Sequence, residues 1–101
     1  MATSNEILNI HPGKVPIIII TPKGTPLIFN KTKFIVPRDL TISQFHCILK
    51  KYTSVSSADS IILFVNNTLP MVSDTVGSIY DSEKDPDGFL NIIAQKENTF
   101  G

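Results

Sequence analysis

Lys33-Phe34-Ile35-Val36-Pro37-Arg38-Asp39-Leu40-Thr41-Ile42-Ser43-Gln44-Phe45 is the stretch whose reading decides the fold. Lys33 to Val36 is a short β-branched and aromatic run, which favours a strand. Pro37 offers no N–H to a sheet and ends it. Four residues on, Thr41-Ile42-Ser43-Gln44 matches a capping box: the Thr41 hydroxyl and the Gln44 side chain cover free backbone N–H groups. Ile42, Phe45, Leu49 and Tyr52 then recur at helical spacing, flanked by Ile48. A strand therefore feeds directly into a helix that has one apolar face to bury.

Upstream, Lys14 to Thr21 contains Ile17-Ile18-Ile19-Ile20, with Pro16 near its start. That apolar run is too short for a helix and reads as a strand buried on both faces. Pro22-Lys23-Gly24-Thr25-Pro26 turns it back into the second strand as a hairpin. Ser4 to Ile10 fits a short helix capped by Ser4 and ended by Pro12-Gly13. Downstream, a Thr/Ser-rich loop from Thr53 to Ser57 precedes a third strand, Ser60 to Val65. Asn66-Asn67-Thr68-Leu69-Pro70 are turn residues. Ser73 to Tyr80 reads as a short helix weakened by Gly77. An acidic loop, Asp81 to Gly88, leads to a last strand, Phe89 to Ala94. The order is that of an α+β, β-grasp domain: a four-stranded mixed sheet crossed by one main helix. Its first and last strands, the most apolar, would be parallel neighbours joined by a right-handed crossover.

Length and composition narrow the function. At 101 residues and 42% apolar, the chain is one domain with one thin core. Residues 1–13 form an extension, 14–94 the domain and 95–101 a tail. No apolar run nears the ~20 residues of a membrane span. Cys47 is the single cysteine, so no internal disulfide forms, which fits a reducing compartment. Residues 1–52 hold seven Lys/Arg against two Asp/Glu; residues 53–101 hold two against seven. The asymmetry points to two surfaces with different partners. The cations are neither dense nor interleaved with aromatics, which argues against nucleic acid.

The tail Glu97-Asn98-Thr99-Phe100-Gly101 carries two readings. Glycine has no Cβ, so its carboxyl is unhindered and suits activation and transfer by other enzymes. The plain alternative is a frayed terminus. Five blocks bear on the choice: Lys33 to Phe45, Phe64-Val65-Asn66-Asn67-Thr68-Leu69-Pro70, Ile79-Tyr80, Asp85-x-Asp87-Gly88-Phe89-Leu90, and the tail. In this order and spacing they closely resemble the autophagy ubiquitin-like modifiers of the GABARAP type, and His11 to Pro16 resembles that family's approach to its first strand.

The resemblance implies a modifier, not an enzyme. Gly101, with Phe100 recognised beside it, would be adenylated by an activating enzyme and passed as a thioester to a conjugating enzyme. It would then be joined to phosphatidylethanolamine on autophagosomal membranes and released by a deconjugating cysteine protease. The chain would be a cytoplasmic monomer before conjugation and would need no cofactor. Relatives also capture short aromatic-x-x-aliphatic motifs flanked by acidic residues, by adding the peptide as a strand beside the second strand. By position, the aromatic pocket would use Ile7, Pro16, Ile18, Lys33, Ile35 and Phe89. The aliphatic pocket would use Phe34, Val36, Pro37, Leu40, Phe45 and Ile48. For Ile18, Phe45 and Ile48 ordinary core packing is the competing role; Phe34 and Val36, on the expected edge strand, read more strongly as binding residues. Lys14, Lys31 and Lys33 would attract the acids. Three departures stand out: a shortened N-terminal helical extension, Tyr52 where relatives commonly carry a base, and a hairpin turn without acidic character. The alternatives are a modifier joined to a protein lysine and a β-grasp adaptor that is never conjugated.

Other chemistry fits poorly. His46 and Cys47 are helical neighbours about 100° apart, so they do not form a nucleophile–base pair; Cys47 reads as a partly packed helix residue. Glu83-x-Asp85-x-Asp87-Gly88 resembles a calcium-loop start, but the twelfth position is Ala94 and Pro86 interrupts it. No metal is expected.

Overall fold

The computed structural model describes residues 13–22, 29–53 and 61–96. The expected Ser4–Ile10 helix, most of the hairpin turn, the Ser54–Ser57 part of the loop, Ile7 and the Glu97–Gly101 tail lie outside them. Four strands form one sheet: β1 (Lys14–Ile20), β2 (Lys33–Pro37), β3 (Ile61–Phe64) and β4 (Leu90–Lys96). Its order is β2-β1-β4-β3. β1 runs antiparallel to β2 and parallel to β4, and β3 runs antiparallel to β4. The two most apolar strands hold the centre, as a mixed β-grasp sheet requires.

Helix α1 (Ile42–Leu49) follows β2 and continues into a 3-10 turn, Lys50–Tyr52. The capping box forms as read: Gln44 N donates to the Thr41 hydroxyl at 3.2 Å, and Thr41 N donates to Gln44 Oε1 at 3.0 Å. Ile42, Phe45 and Leu49 face inward onto Val15, Ile17, Ile19, Phe34, Val36, Leu63, Leu90, Ile92 and Ala94, forming the core.

Four expectations need correction. β1 is not buried on both faces: Ile18 is half-buried and Ile20 is 43% exposed. Ile20 lies beyond the paired length of β2, on the outer sheet face. Tyr52 sits in the tighter 3-10 turn, not on α1. The second helix, α2, spans Val76–Glu83, so Asp81, Ser82 and Glu83 belong to it and not to the acidic loop. Its start is set by Thr75, whose hydroxyl accepts from Ser78 N at 3.2 Å. The last strand runs on to Lys96, because Lys96 and Gln95 still pair with Ile61 and Ile62.

Gly77 proves to be more than a weak helix former. Its N–H donates to Arg38 O at 2.9 Å. A Cβ there would lie 2.8 Å from both Arg38 Cβ and Arg38 O. The glycine lets α2 touch the β2–α1 connection, and Arg38 secures the contact with an ion pair to Asp81. At the other end of α2, the buried Tyr80 hydroxyl donates to Gly88 O at 2.6 Å, pinning the turn before β4. Burial raises the Tyr80 pKa; nearby Arg38 opposes this, while Asp81 and Asp87 add to it.

Candidate functional site: the β2 edge and its contact with α1

β2 pairs with β1 alone in the sheet order, so it is an edge strand. Such an edge offers unpaired backbone groups to another strand. Side chains alternate along it: Lys33, Ile35 and Pro37 are exposed, whereas Phe34 and Val36 are buried. The register sets Pro16 beside Ile35 and Ile18 beside Lys33. Pro16, Ile18, Lys33 and Ile35 therefore share the outer face, with Ile35 40% exposed. Half-buried Phe89 immediately precedes Leu90, which pairs with Ile17, so it lies at the same end of the sheet.

The inner side of β2 meets α1. Phe34, Val36 and Phe45 are core residues there, with Leu40 and Ile48 half-buried against them. Phe34 stands edge-on to Phe45 at 5.6 Å and to Tyr52 at 5.3 Å. At 4% and 6% exposure, Phe34 and Val36 are core in the free chain. An incoming side chain would meet them as packed core at the β2 edge, not as projecting anchors. Exposed Pro37 ends the strand. Of the residues named from sequence, Ile7, Phe100 and Gly101 lie outside the description.

The charges are arranged with equal economy. Lys31 Nζ lies 5.1 Å from the Phe34 ring centre and 5.6 Å from that of Tyr52. This cation–π contact holds an ammonium over the Phe34–Tyr52 aromatic pair. Lys33 is exposed two residues further on, in β2, whereas Lys14, also exposed, lies beside Pro37 at the other end of the strand pair. The sequence carried the cations; only the folded turn brings Lys31 over two rings.

Catalytic and metal readings find no matching geometry among the described residues. Cys47 is exposed, not partly packed. His46 Nε2 donates to Ile61 O at 2.7 Å, which ties α1 to β3. Glu83 accepts from Asn66, Asp85 from Asn91, and Asp87 from Phe89 N. Those carboxylates stabilise turns, and no described group of three ligand-type side chains converges. No described helix is long and apolar enough to cross a membrane.

Two hollows lie elsewhere, and the sequence reading passed over them. One, about 300 Å³, is lined by residues of α1, β3 and the following loop, including His46, Cys47, Leu69 and Val72, with no Asp, Glu, Lys or Arg among them. The other, about 190 Å³, lies between that loop and α2. Their only sequence signal was three apolar residues: Leu69, inside the segment read as a turn, and Met71 and Val72, between that turn and the next helix.

Comparison with known proteins agrees with this architecture. The family model described as "Autophagy protein Atg8 ubiquitin like" matches residues 1–101. Autophagy-related protein 8i of Arabidopsis thaliana is 39% identical over 102 residues, covering 100% of this chain and 89% of the relative. Autophagy-related protein 8b of the same plant is 40% identical over 103 residues, covering 100% and 84%. The crystal structure of Trypanosoma brucei ATG8 superposes with a TM-score of 0.86 at 31% identity, covering 97% of this chain and 85% of that one. With its ubiquitin-like sheet and helices in place and a family match along its whole length, the chain belongs to the Atg8 family of autophagy ubiquitin-like proteins.

Proposed function

We propose that this protein is a conjugated modifier that gathers autophagy receptors at a membrane. Gly101 is activated as an adenylate, carried as a thioester and joined as an amide to phosphatidylethanolamine. An activated carboxyl stores the energy for amide formation, and glycine leaves its carbonyl open to attack. The chain itself performs no catalysis. It starts cytoplasmic and monomeric, becomes fixed to the autophagosomal membrane on conjugation, and is released by a cysteine protease.

Receptor capture occurs at β2. One observation supports this reading: apart from Pro37, which is exposed on the same face as Lys33 and Ile35, the two residue sets lie on opposite faces of the strand. An extended peptide alternates sides with a period of two, so residues three apart point to opposite faces. An aromatic-x-x-aliphatic motif laid beside β2 thus sends its aromatic residue to Pro16, Ile18, Lys33 and Ile35. Its aliphatic residue goes to the side of Phe34, Val36, Leu40, Phe45 and Ile48, while Pro37 stays on the other face at the end of the strand. A motif with one intervening residue would send both to one side. Lys14, Lys31 and Lys33 supply attraction to upstream acids, mainly through the association rate.

The test combines the purified chain with activating enzyme, conjugating enzyme, ATP and phosphatidylethanolamine liposomes. The expected result is a lipidated species that Gly101→Ala sharply reduces. Undiminished conjugation of Gly101→Ala excludes Gly101 as the reactive residue. Peptide binding at β2 without any conjugation reassigns the protein as an adaptor.

A further inference from the structure

The loop after β3 presents a second surface, at the sheet edge opposite β2. Leu69, Met71 and Val72 are 61%, 67% and 68% exposed, more than any other large apolar side chain among the described residues. The backbone beneath them is tied down. Val65 and Thr68 exchange hydrogen bonds of 2.9 and 3.0 Å, Ser43 N donates to Val72 O at 3.0 Å, and Ile42 N donates to Asp74 O at 2.9 Å. Asp74 N donates to Met71 O, and Asp74 Oδ2 accepts from Met71 N. A loop fixed at these points and still exposing apolar tips has already lost the entropy that binding would cost. Clustered exposed apolar groups mark interaction surfaces, and a methionine adapts to its partner.

The hollow of about 190 Å³ adjoins this ridge. Val65, Leu69, Pro70, Met71 and Ile79 give it apolar walls, and Asp74 and Glu83 are its only charged lining residues. Glu83 Oε2 accepts from Asn66 Nδ2, and neither carboxylate joins an ion pair among the described residues. The ordinary partner for an apolar hollow with two unneutralised carboxylates is an aliphatic side chain followed by a cation.

We propose that this face docks a cationic amphipathic segment of a partner protein. An aliphatic side chain enters the hollow, and a neighbouring Lys or Arg meets Asp74 and Glu83. Acidic segments are repelled here and directed to the lysines at the β2 edge, so the two ends of the sheet sort partners by charge. The surface is separate from the peptide site and stands or falls independently of it.

The test titrates the isotope-labelled full chain with an amphipathic Leu/Lys peptide and with its Leu/Glu counterpart, following amide NMR shifts. The Leu/Lys peptide should move Thr68 to Asp74, Ser82 and Glu83, and the Leu/Glu peptide should leave them in place. The double variant Asp74→Asn, Glu83→Gln should weaken Leu/Lys binding about three- to tenfold, as two exposed charge contacts allow. Asp74→Asn keeps a side-chain oxygen for Met71 N, so the loop remains built. Equal binding of both peptides, shifts centred on β2, unchanged affinity in the double variant, or concentration-dependent shifts at this loop without peptide (a second copy as its occupant) would each overturn the proposal.

Discussion

Replacing Gly77 with alanine sets two physical arguments against each other. Helix propensity alone favours alanine by at most about 0.8–1.0 kcal/mol, the helix-interior figure, since Gly77 is the second residue of α2. Gly77 is buried within α2, where the new methyl would meet Arg38 Cβ and Arg38 O at 2.8 Å and Arg38 Cα at 3.2 Å. Two of those atoms are backbone, so no flexible side-chain end can move aside. Overpacking of this kind costs about 1–3 kcal/mol. Relief by separating α2 from the β2–α1 connection would stretch the 2.9 Å bond from Gly77 N to Arg38 O and loosen the Arg38–Asp81 ion pair. With the strain near the upper end of its range, the balance is a destabilisation of about 1–2 kcal/mol. For a domain of this size that lowers Tm by roughly 4–15 °C. Urea denaturation followed by far-UV circular dichroism gives the free energy, and a thermal melt gives Tm. Ser78→Ala, exposed on the same helix, controls for propensity. A Gly77→Ala chain with a higher midpoint and unchanged slope would refute the close-packing argument and leave propensity in charge.

Phe34→Ala should cost about 3–5 kcal/mol of stability, since it empties a buried aromatic site between Phe45 and Tyr52; a loss below about 1 kcal/mol in urea denaturation would contradict its core placement. Tyr80→Phe should cost about 1 kcal/mol through loss of the bond to Gly88 O. Because the folded Tyr80 pKa is raised above 10.0, the unfolded chain gives up its proton first, so this residue's stabilisation is complete below pH 10 and declines as pH rises through the folded pKa. Alkaline denaturation midpoints of Tyr80→Phe should lack that contribution, and an unchanged slope against pH would remove Tyr80 as its source. Tyr52→Arg should raise affinity for an acid-flanked motif up to about fivefold, the value of one exposed charge contact, and leave a neutral-flanked motif little changed. Equal gains in titration calorimetry would mean that Tyr52 acts by packing.

Sequence alone determined the elements whose signals are local. The capping box at Thr41 and Gln44 needs only neighbouring side chains, so it was legible and forms as written. Pro37 ended a strand by lacking an N–H, and the Ile17–Ile20 run announced a central strand. The order of these elements led to the β-grasp sheet, and spaced motif blocks led to the family. Tertiary structure decided everything that depends on which surfaces meet. Gly77 looked like a helix defect until Arg38 was found against it. Phe34 and Val36 read as binding residues because of their edge strand, but edge position concerns backbone bonding, while the side-chain face is set by pairing with β1 and cover from α1. Lys31 became part of an aromatic cluster only when the turn at Asn30 was tied to Tyr52 O. Leu69, Met71 and Val72 carried no periodicity to mark them, because a loop has none; their exposure accompanies hydrogen bonds that anchor the loop to α1, from Ser43 N to Val72 O and from Ile42 N to Asp74 O. Local propensity and capping are written in neighbouring residues, whereas contact, burial and exposure are properties of pairs that only the folded chain brings together.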